Sequence, residues 1–235
     1  MKYKISLLVL LLFSAATACW SDQTRTDAVE RLQSSTKVMH QIVNVPEKGI
    51  PDKVLSGAKC IAIVPKLLKG GFILAAKHGR GVSTCRLPKG DWSAPAFFTI
   101  SGGSWGAQIG VESVDLVLMV MTDEGMRHLL SDKFQIGGSV SAAVGPLGRD
   151  AAAGTDWKVD TQLLTYSRAK GLFAGVDLGG SWVERDKDST VAMYGKDLTT
   201  RALLEGEVPV PGDARQFVNE IRETKAQATT KRKGA

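Results

Sequence analysis

Apolar and polar positions alternate most clearly near the C-terminal third of the chain. From Leu172 the even positions read Leu172, Ala174, Val176, Leu178, Gly180 and Trp182. The odd positions carry Gly171, Phe173, Gly175, Asp177, Gly179 and Ser181. A period of two with one apolar face predicts a half-buried strand. Gly171, Gly175 and Gly179 share the other face, where glycine marks a bend, a bulge or a close backbone approach. The pattern predicts a long, sharply coiled strand over Gly171–Glu184, preceded by a strand over Thr161–Ser167; the alternative is a glycine-rich loop.

Upstream, Ala28, Val29, Leu32, Thr36, Met39, Ile42 and Val43 recur at helical spacing, which predicts an amphipathic helix over residues 22–43. Its stripe either packs on its own domain or meets a membrane; it lacks Trp and Phe, and its polar face is not strongly basic. Pro51 opens a short helix to about Ala58, and Lys59–Val64 is a strand. Pro65–Gly71 reads as a turn carrying Lys66 and Lys69. Phe72–Ala76 and Gly81–Arg86 read as a hairpin through Lys77–Arg80. Phe97–Ser101 and Ala107–Met121 are strands. The second is apolar on both faces from Val114 onward apart from Asp115, which predicts a central position. A helix over Asp123–Leu130 and a strand over Phe134–Val144 lead into a glycine-rich loop with Arg149 and Asp150. Helices over Leu198–Leu204 and Asp213–Ala226 follow, the latter after Pro209, Pro211 and Gly212. Lys225–Ala235 reads as a frayed basic tail. The elements predict an α+β fold: a curved or barrel-like antiparallel β-sheet flanked by helices, in a single domain.

At 235 residues, 43% hydrophobic, the chain can bury one sizeable core. The N-terminus changes the picture of where it works. Lys2 and Lys4 precede an apolar run, Ile5–Phe13, interrupted only by Ser6, and small residues follow to Cys19. This is the pattern of a secretory signal peptide, residues 1–18, and it is too short to span a bilayer. Ala16-Thr17-Ala18 is an A-x-A cleavage site. With Cys19 it is also a loose bacterial lipobox, departing from the usual motif at Ala16, so Cys19 is either the lipidated N-terminus, the reading adopted here, or an unmodified one. The formal charge is +6, and loss of Lys2 and Lys4 with the leader leaves +4. That mildly basic balance favours anionic surfaces without requiring them. Export leads to an oxidising compartment, so Cys60 and Cys85, each in a candidate strand, are either a disulfide or two buried thiols. A bridge would close a loop of about 25 residues and contribute roughly 3 kcal/mol.

His40, His78 and His128 are scattered, without metal-ligand spacing. Gly103–Gly110 is not a nucleophile elbow, and the glycine-rich loops lack the lysine of a phosphate-binding loop. No residue set argues for an enzyme or a cofactor. The cations are more informative. Lys66, Lys69, Lys77 and Arg80 fall within 15 residues, and Arg168 and Lys170 follow Tyr166-Ser167. Turns at one end of a curved sheet would gather them into an anion-binding patch. The opposing reading is solvated lysines, with Arg149 and Arg168 paired to Asp115, Asp150 or Asp177.

Six segments carry a resemblance. YSRAKGLFAGVDLGGS (Tyr166–Ser181) resembles the most characteristic segment of the SYLF domain family, also described as the actin-binding domain of a yeast actin-patch protein. IPDKVLSGAKCIAIVP (Ile50–Pro65), KGGFILAAKHGRGVSTCR (Lys69–Arg86), WSAPAFFTISGGSWGAQIGVESVDLVLMVM (Trp92–Met121), SAAVGPLGRDAAAGTD (Ser141–Asp156) and YGKDLTTRALLEG (Tyr194–Gly206) match in family order. The resemblance covers roughly residues 27–222, between a short tether at 19–26 and the basic tail at 223–235. It implies a lipid-binding module, with phosphoinositide and actin association in eukaryotic relatives and an amphipathic N-terminal segment associated with membranes. In a bacterial envelope, facing the periplasm, the expected partner is anionic phospholipid or the membrane surface; actin is doubtful there, and no nucleic-acid partner is expected. The rival reading is an anchored envelope protein without specific lipid recognition.

Overall fold

The computed structural model describes residues 2–45, 49–71, 74–105, 110–147, 161–169, 172–173 and 176–233. Helix α1 (Lys2–Val43) and a short α2 (Asp52–Gly57) lead into four long strands: β1 (Cys60–Gly71), β2 (Leu74–Cys85), β3 (Ala96–Trp105) and β4 (Gly110–Val120). Then come α3 (Asp123–Leu129), β5 (Lys133–Gln135), β6 (Ala142–Val144), β7 (Leu163–Ala169), β8 (Leu172–Phe173) and β9 (Trp182–Arg185). Helices α4 (Lys187–Tyr194), α5 (Thr200–Leu204) and α6 (Arg215–Lys233) close the described chain. The strands form one sheet in the order β5-β9-β3-β2-β1-β4-β7-β6, with β8 on β7. It curls into a half-barrel flanked by helices, the α+β architecture expected. One pairing departs from the expected antiparallel sheet: β6 runs parallel to β7.

Strand alternation splits the core in two. On the outer face Ile61, Ile63, Val82, Phe97, Val117, Met119, Leu164 and Tyr166 pack against Leu32, Met39 and Ile42 of α1, Val54 and Leu55 of α2, and Phe217 and Ile221 of α6. The stripe of α1 is thus buried on its own domain. On the inner face Val64, Leu67, Phe98, Ile100, Leu116, Leu118 and Val183 pack with Leu129, Phe134, Val176, Leu178, Leu203 and Leu204. Strand β4 contributes to both cores, as its two-sided apolar pattern predicts.

Two expected turns are corrected. Pro65–Gly71 is not a turn but the second half of β1, which absorbs one extra residue as a bulge: Val64 and Leu67 face Leu116 and Val114. Lys66 sits at that bulge with φ 59°, a left-handed conformation that only glycine adopts freely. Likewise Lys77–Arg80 lies in the middle of β2. The glycines there serve packing rather than a turn: a Cβ on Gly79 would lie 2.6 Å from Val64, and one on Gly81 2.4 Å from Phe98. They let the inner face close on itself.

The expected strand over Gly171–Glu184 is broken. β8 is two residues long, and after it residues 176–181 cross from the β7 side of the sheet to β9, which pairs with β3 and β5. Val176 and Leu178 are buried, then a turn with Gly180 at φ 73° shifts the phase, so that Val183 points inward and Trp182 outward. Phe134–Val144 is similarly interrupted at Gly137, with φ 83°, dividing β5 from β6. The basic tail is corrected too: α6 continues to Lys233, with Thr224, Lys225 and Ala228 buried.

Cys60 and Cys85 are opposite each other in the β1–β2 ladder and form a disulfide.

Candidate functional site

The strand ends define two ends of the half-barrel. One carries Cys60, Cys85 and Val120; the other carries Gly71, Leu74, Trp105 and Gly110, and Lys66, Lys69, Lys77, Arg80 and Arg168 lie on the strands toward it. The bulge determines which face each cation occupies. Before it, Ile61 and Ile63 point outward; after it, Leu67 points inward, so Lys69 also points inward and Leu68 outward. The cations are therefore divided between two faces rather than gathered by turns.

On the inner face Lys69 pairs with Lys77 across the β1–β2 ladder and lies 3.7 Å from Glu112 of β4. Lys77 is only 3% exposed, and its Nζ donates to the carbonyl of Asp177 at 2.6 Å. It ties the crossing segment down to the sheet. Burial lowers the Lys77 pKa, the Asp177 charge opposes that shift, and Lys69 adds to it. These two lysines are thus internal to the curl.

On the outer face Arg168 of β7 reaches Asp115 of β4 at 3.6 Å and donates to the Gln41 side chain of α1. Lys66 is exposed, and its backbone N–H donates to the Asp115 carboxylate at 3.3 Å, which holds the bulge. Arg80 belongs to a different constellation, missed in the sequence. Arg31 of α1, 5% exposed at its side chain, places Nη1 3.0 Å from Asp186 Oδ2 and Nη2 3.0 Å from Ser189 Oγ. Arg80 donates to the same Asp186 oxygen at 3.2 Å and stands 3.9 Å from Asp27. Asp186 caps α4, accepting from the Ser189 N–H at 3.0 Å. Burial alone would raise the Asp186 pKa, but the Ser189 N–H and the Arg31 charge outweigh it and hold it below 3.8. Burial lowers the Arg31 pKa, Asp186 opposes this, and Arg80 reinforces it. Arg31 also stacks over Phe97, 5.3 Å from the ring centre. This network binds α1 to the sheet.

Lys170, Arg149 and the side chain of Cys19 lie outside the described residues. The sequence pattern also missed a row on the outer face that no helix covers. The pairing aligns Gln135, Trp182, Ser101, His78, Leu68 and Ser113 across β5, β9, β3, β2, β1 and β4. Leu68 is 48% exposed and Trp182 41%. Lys133 lies over the Trp182 ring at 4.8 Å. Lys66 and Arg168 lie in the neighbouring row. The bulge phase is the signal for Leu68: it turns an apolar residue outward where uninterrupted alternation from Ile63 would keep it in. Among the described residues, no group of three or more His, Cys, Asp and Glu side chains could hold a metal ion, and no helix is long and apolar enough to cross a membrane.

Comparison with known proteins is consistent across most of this architecture. A family model described as "Ysc84: Las17-binding protein actin regulator" matches residues 101–224. An SH3 domain-containing YSC84-like protein 1 of Rattus norvegicus is 36% identical over 172 residues, 73% of this chain and 50% of that protein. Protein YSC84 of Saccharomyces cerevisiae is 38% identical over 168 residues, 70% of this chain and 36% of its own length. An SH3 domain-containing protein of Schizosaccharomyces pombe is 38% identical over 171 residues, covering 72% and 40%. The chain thus spans about half the length, or less, of these curated relatives.

Proposed function

The chain belongs to the Ysc84 (SYLF) family, and from that premise we propose that it is a non-catalytic module that docks on anionic lipid surfaces from the bacterial envelope. The observation that carries this reading is the uncovered outer row: exposed Leu68 and, three strands away, exposed Trp182 share one face, with Lys66 near the first and Lys133 over the ring of the second. Apolar side chains flanked by cations suit the boundary between headgroups and acyl chains, where each basic group contributes about 1 kcal/mol. The packed stripe of α1 is already occupied, so the surface comes from the sheet. The family description names Las17 and actin; for an exported chain an anionic lipid surface is the partner proposed instead. Residues 1–18 act as the leader and Cys19 as the lipidated N-terminus, which mass spectrometry of protein from a native host tests by its acyl groups.

Co-sedimentation with vesicles tests the docking itself, using chain lacking residues 1–19. Binding is expected to favour phosphatidylglycerol over phosphatidylcholine and to weaken with salt, as the Debye length falls from about 10 Å at 0.1 M to about 3 Å at 1 M. Leu68→Ser and Trp182→Ser should each reduce it, while Lys69→Gln, on the inner face, should not. Equal binding to both vesicle types would refute the reading.

A further inference from the structure

The opposite end of the molecule holds a second set of cations that the lipid reading does not use. Helix α6 and the β2–β3 connection bound a groove of about 330 Å³, lined by Arg86, Trp92, Arg222, Lys225, Thr229 and Thr230. Lys225 is 8% exposed; its Nζ donates to the carbonyl of Ala58 at 2.8 Å and stands 5.2 Å from the Trp92 ring centre. Arg222 donates to Asn219 at 2.9 Å and to Asp91 at 3.3 Å. Arg86 is exposed and has no carboxylate partner among the described residues. The two threonine hydroxyls donate back into the helix, to Lys225 and Ala226 carbonyls.

The charge here is only partly compensated. Three cations border the groove, and among the described residues Asp91, tied to Arg222, is the one carboxylate paired with any of them. Lys225 is desolvated by the helix and the indole, and Arg86 stands close enough to oppose its charge further. The bond to Ala58, at the end of α2, accounts for Lys225; it does not account for Arg86. An ammonium has three donors and a guanidinium five. Lys225 keeps donors beyond the one given to Ala58, and no described residue accepts from the five of Arg86.

We propose that this groove binds a phosphate-bearing anion, with Arg86 and Lys225 as direct donors and Arg222 as a flanking charge. A phosphate accepts from a guanidinium through two oxygens and from an ammonium through a third. The groove is larger than a phosphate group alone, so the ligand is a phosphate ester with a small polar substituent. Its source is either a soluble ester or a lipid headgroup. The site lies at the Cys60 end, away from Leu68 and Trp182, and stands whether or not the vesicle reading does.

The test is calorimetric titration of the purified full chain with glycerol 3-phosphate, at fixed ionic strength, with chloride as the control anion. Saturable one-to-one binding is expected. Arg86→Gln should weaken it by at least about tenfold, the loss of a charge-assisted contact. Arg222→Gln should weaken it less. Among the described residues the Arg86 side chain makes no hydrogen bond or ion pair, and its backbone bond to Lys59 survives substitution, so the melting temperature of R86Q should match wild type; Lys66→Gln, at the far end, is the binding control. Competition by phosphatidic acid vesicles would assign a headgroup; binding of the soluble ester without competition would assign a soluble ligand. No saturable binding at millimolar ester, or unchanged affinity in R86Q, overturns the proposal.

Discussion

Removing the Asp186 carboxylate should destabilise the protein more than any other single charge removed from the outer face. In Asp186→Ala, α4 loses its cap, worth about 1 kcal/mol. The larger cost is Arg31, whose side chain is 5% exposed and would keep its charge without a carboxylate. Breaking a buried pair from one side costs about 3–5 kcal/mol. The expected loss is about 4 kcal/mol. Arg31→Met should cost less, about 2 kcal/mol, because Asp186 keeps Arg80 at 3.2 Å and the Ser189 N–H at 3.0 Å. The double variant removes both buried charges and should cost about 3 kcal/mol, far below the sum of the singles. Urea denaturation of all four proteins, compared at constant m, measures this. Acidification supplies a second arm. The Asp186 pKa is lowered in the fold, so its contribution is present above the ordinary value of 3.8 and is lost as pH falls through the folded value. Asp186→Asn should flatten that part of the acid profile. A loss below about 1 kcal/mol in D186A, or singles that add to the double within about 0.5 kcal/mol, would show that Arg31 rehydrates and that the network holds nothing together.

Lys66→Gly separates charge from backbone. It removes a cation from the proposed lipid face but relieves a left-handed residue worth about 1 kcal/mol, against about 0.5 kcal/mol for glycine's extra freedom. Anionic vesicle binding should fall while the melting temperature holds or rises by about 1–2 °C; undiminished binding would remove Lys66 from the site. Lys225 gives a pH signature at the other end. Burial, with Arg86, lowers its pKa from 10.5 to about 8, so the folded state sheds that proton first. Stability should therefore rise with pH from about 8 upward, by at most on the order of 3 kcal/mol, and Lys225→Met should lose that slope. A wild-type profile that falls over pH 8–10 would contradict the burial of a charged Lys225.

Helical spacing was enough to place α1 from residue 22 onward, and the two-sided apolar run was enough to place β4, because each is long or apolar enough for its pattern to show; Pro51 marked the start of the short α2. They failed where glycine and a bulge do tertiary work. Lys77–Arg80 carries a glycine and three polar residues, the composition of a turn; yet Gly79 and Gly81 are small because Val64 and Phe98 press on them from inside the curl. The bulge at Lys66 is invisible to a period of two except as a break in phase, and that break reads equally well as a turn. Residues 176–181 keep strand-like alternation while crossing the open inner face, since burying every second side chain does not require a strand partner. The candidate cations were legible as residues, but not their faces, which hang on that one extra residue. Arg31, Asp186, Arg86 and Lys225 gave no local signal: their neighbours in space are far along the chain. The six resembling segments identified the family correctly but could not assign these partners.

The disulfide has a consequence for how the sheet finds its alignment during folding. Cys60 and Cys85 face each other at the open end of a long hairpin whose first strand holds one residue too many. Slipping that surplus residue along β1 would exchange inner and outer side chains over everything it passes. Once oxidised, the hairpin is a closed ring with its base fixed, and a wrong alignment has to be corrected between the bridge and the tip. A chain that met an oxidant before β1 and β2 paired would fold from a pre-aligned base. A reduced chain would have to sample both placements of Lys66, and its refolding kinetics should show the additional slow route.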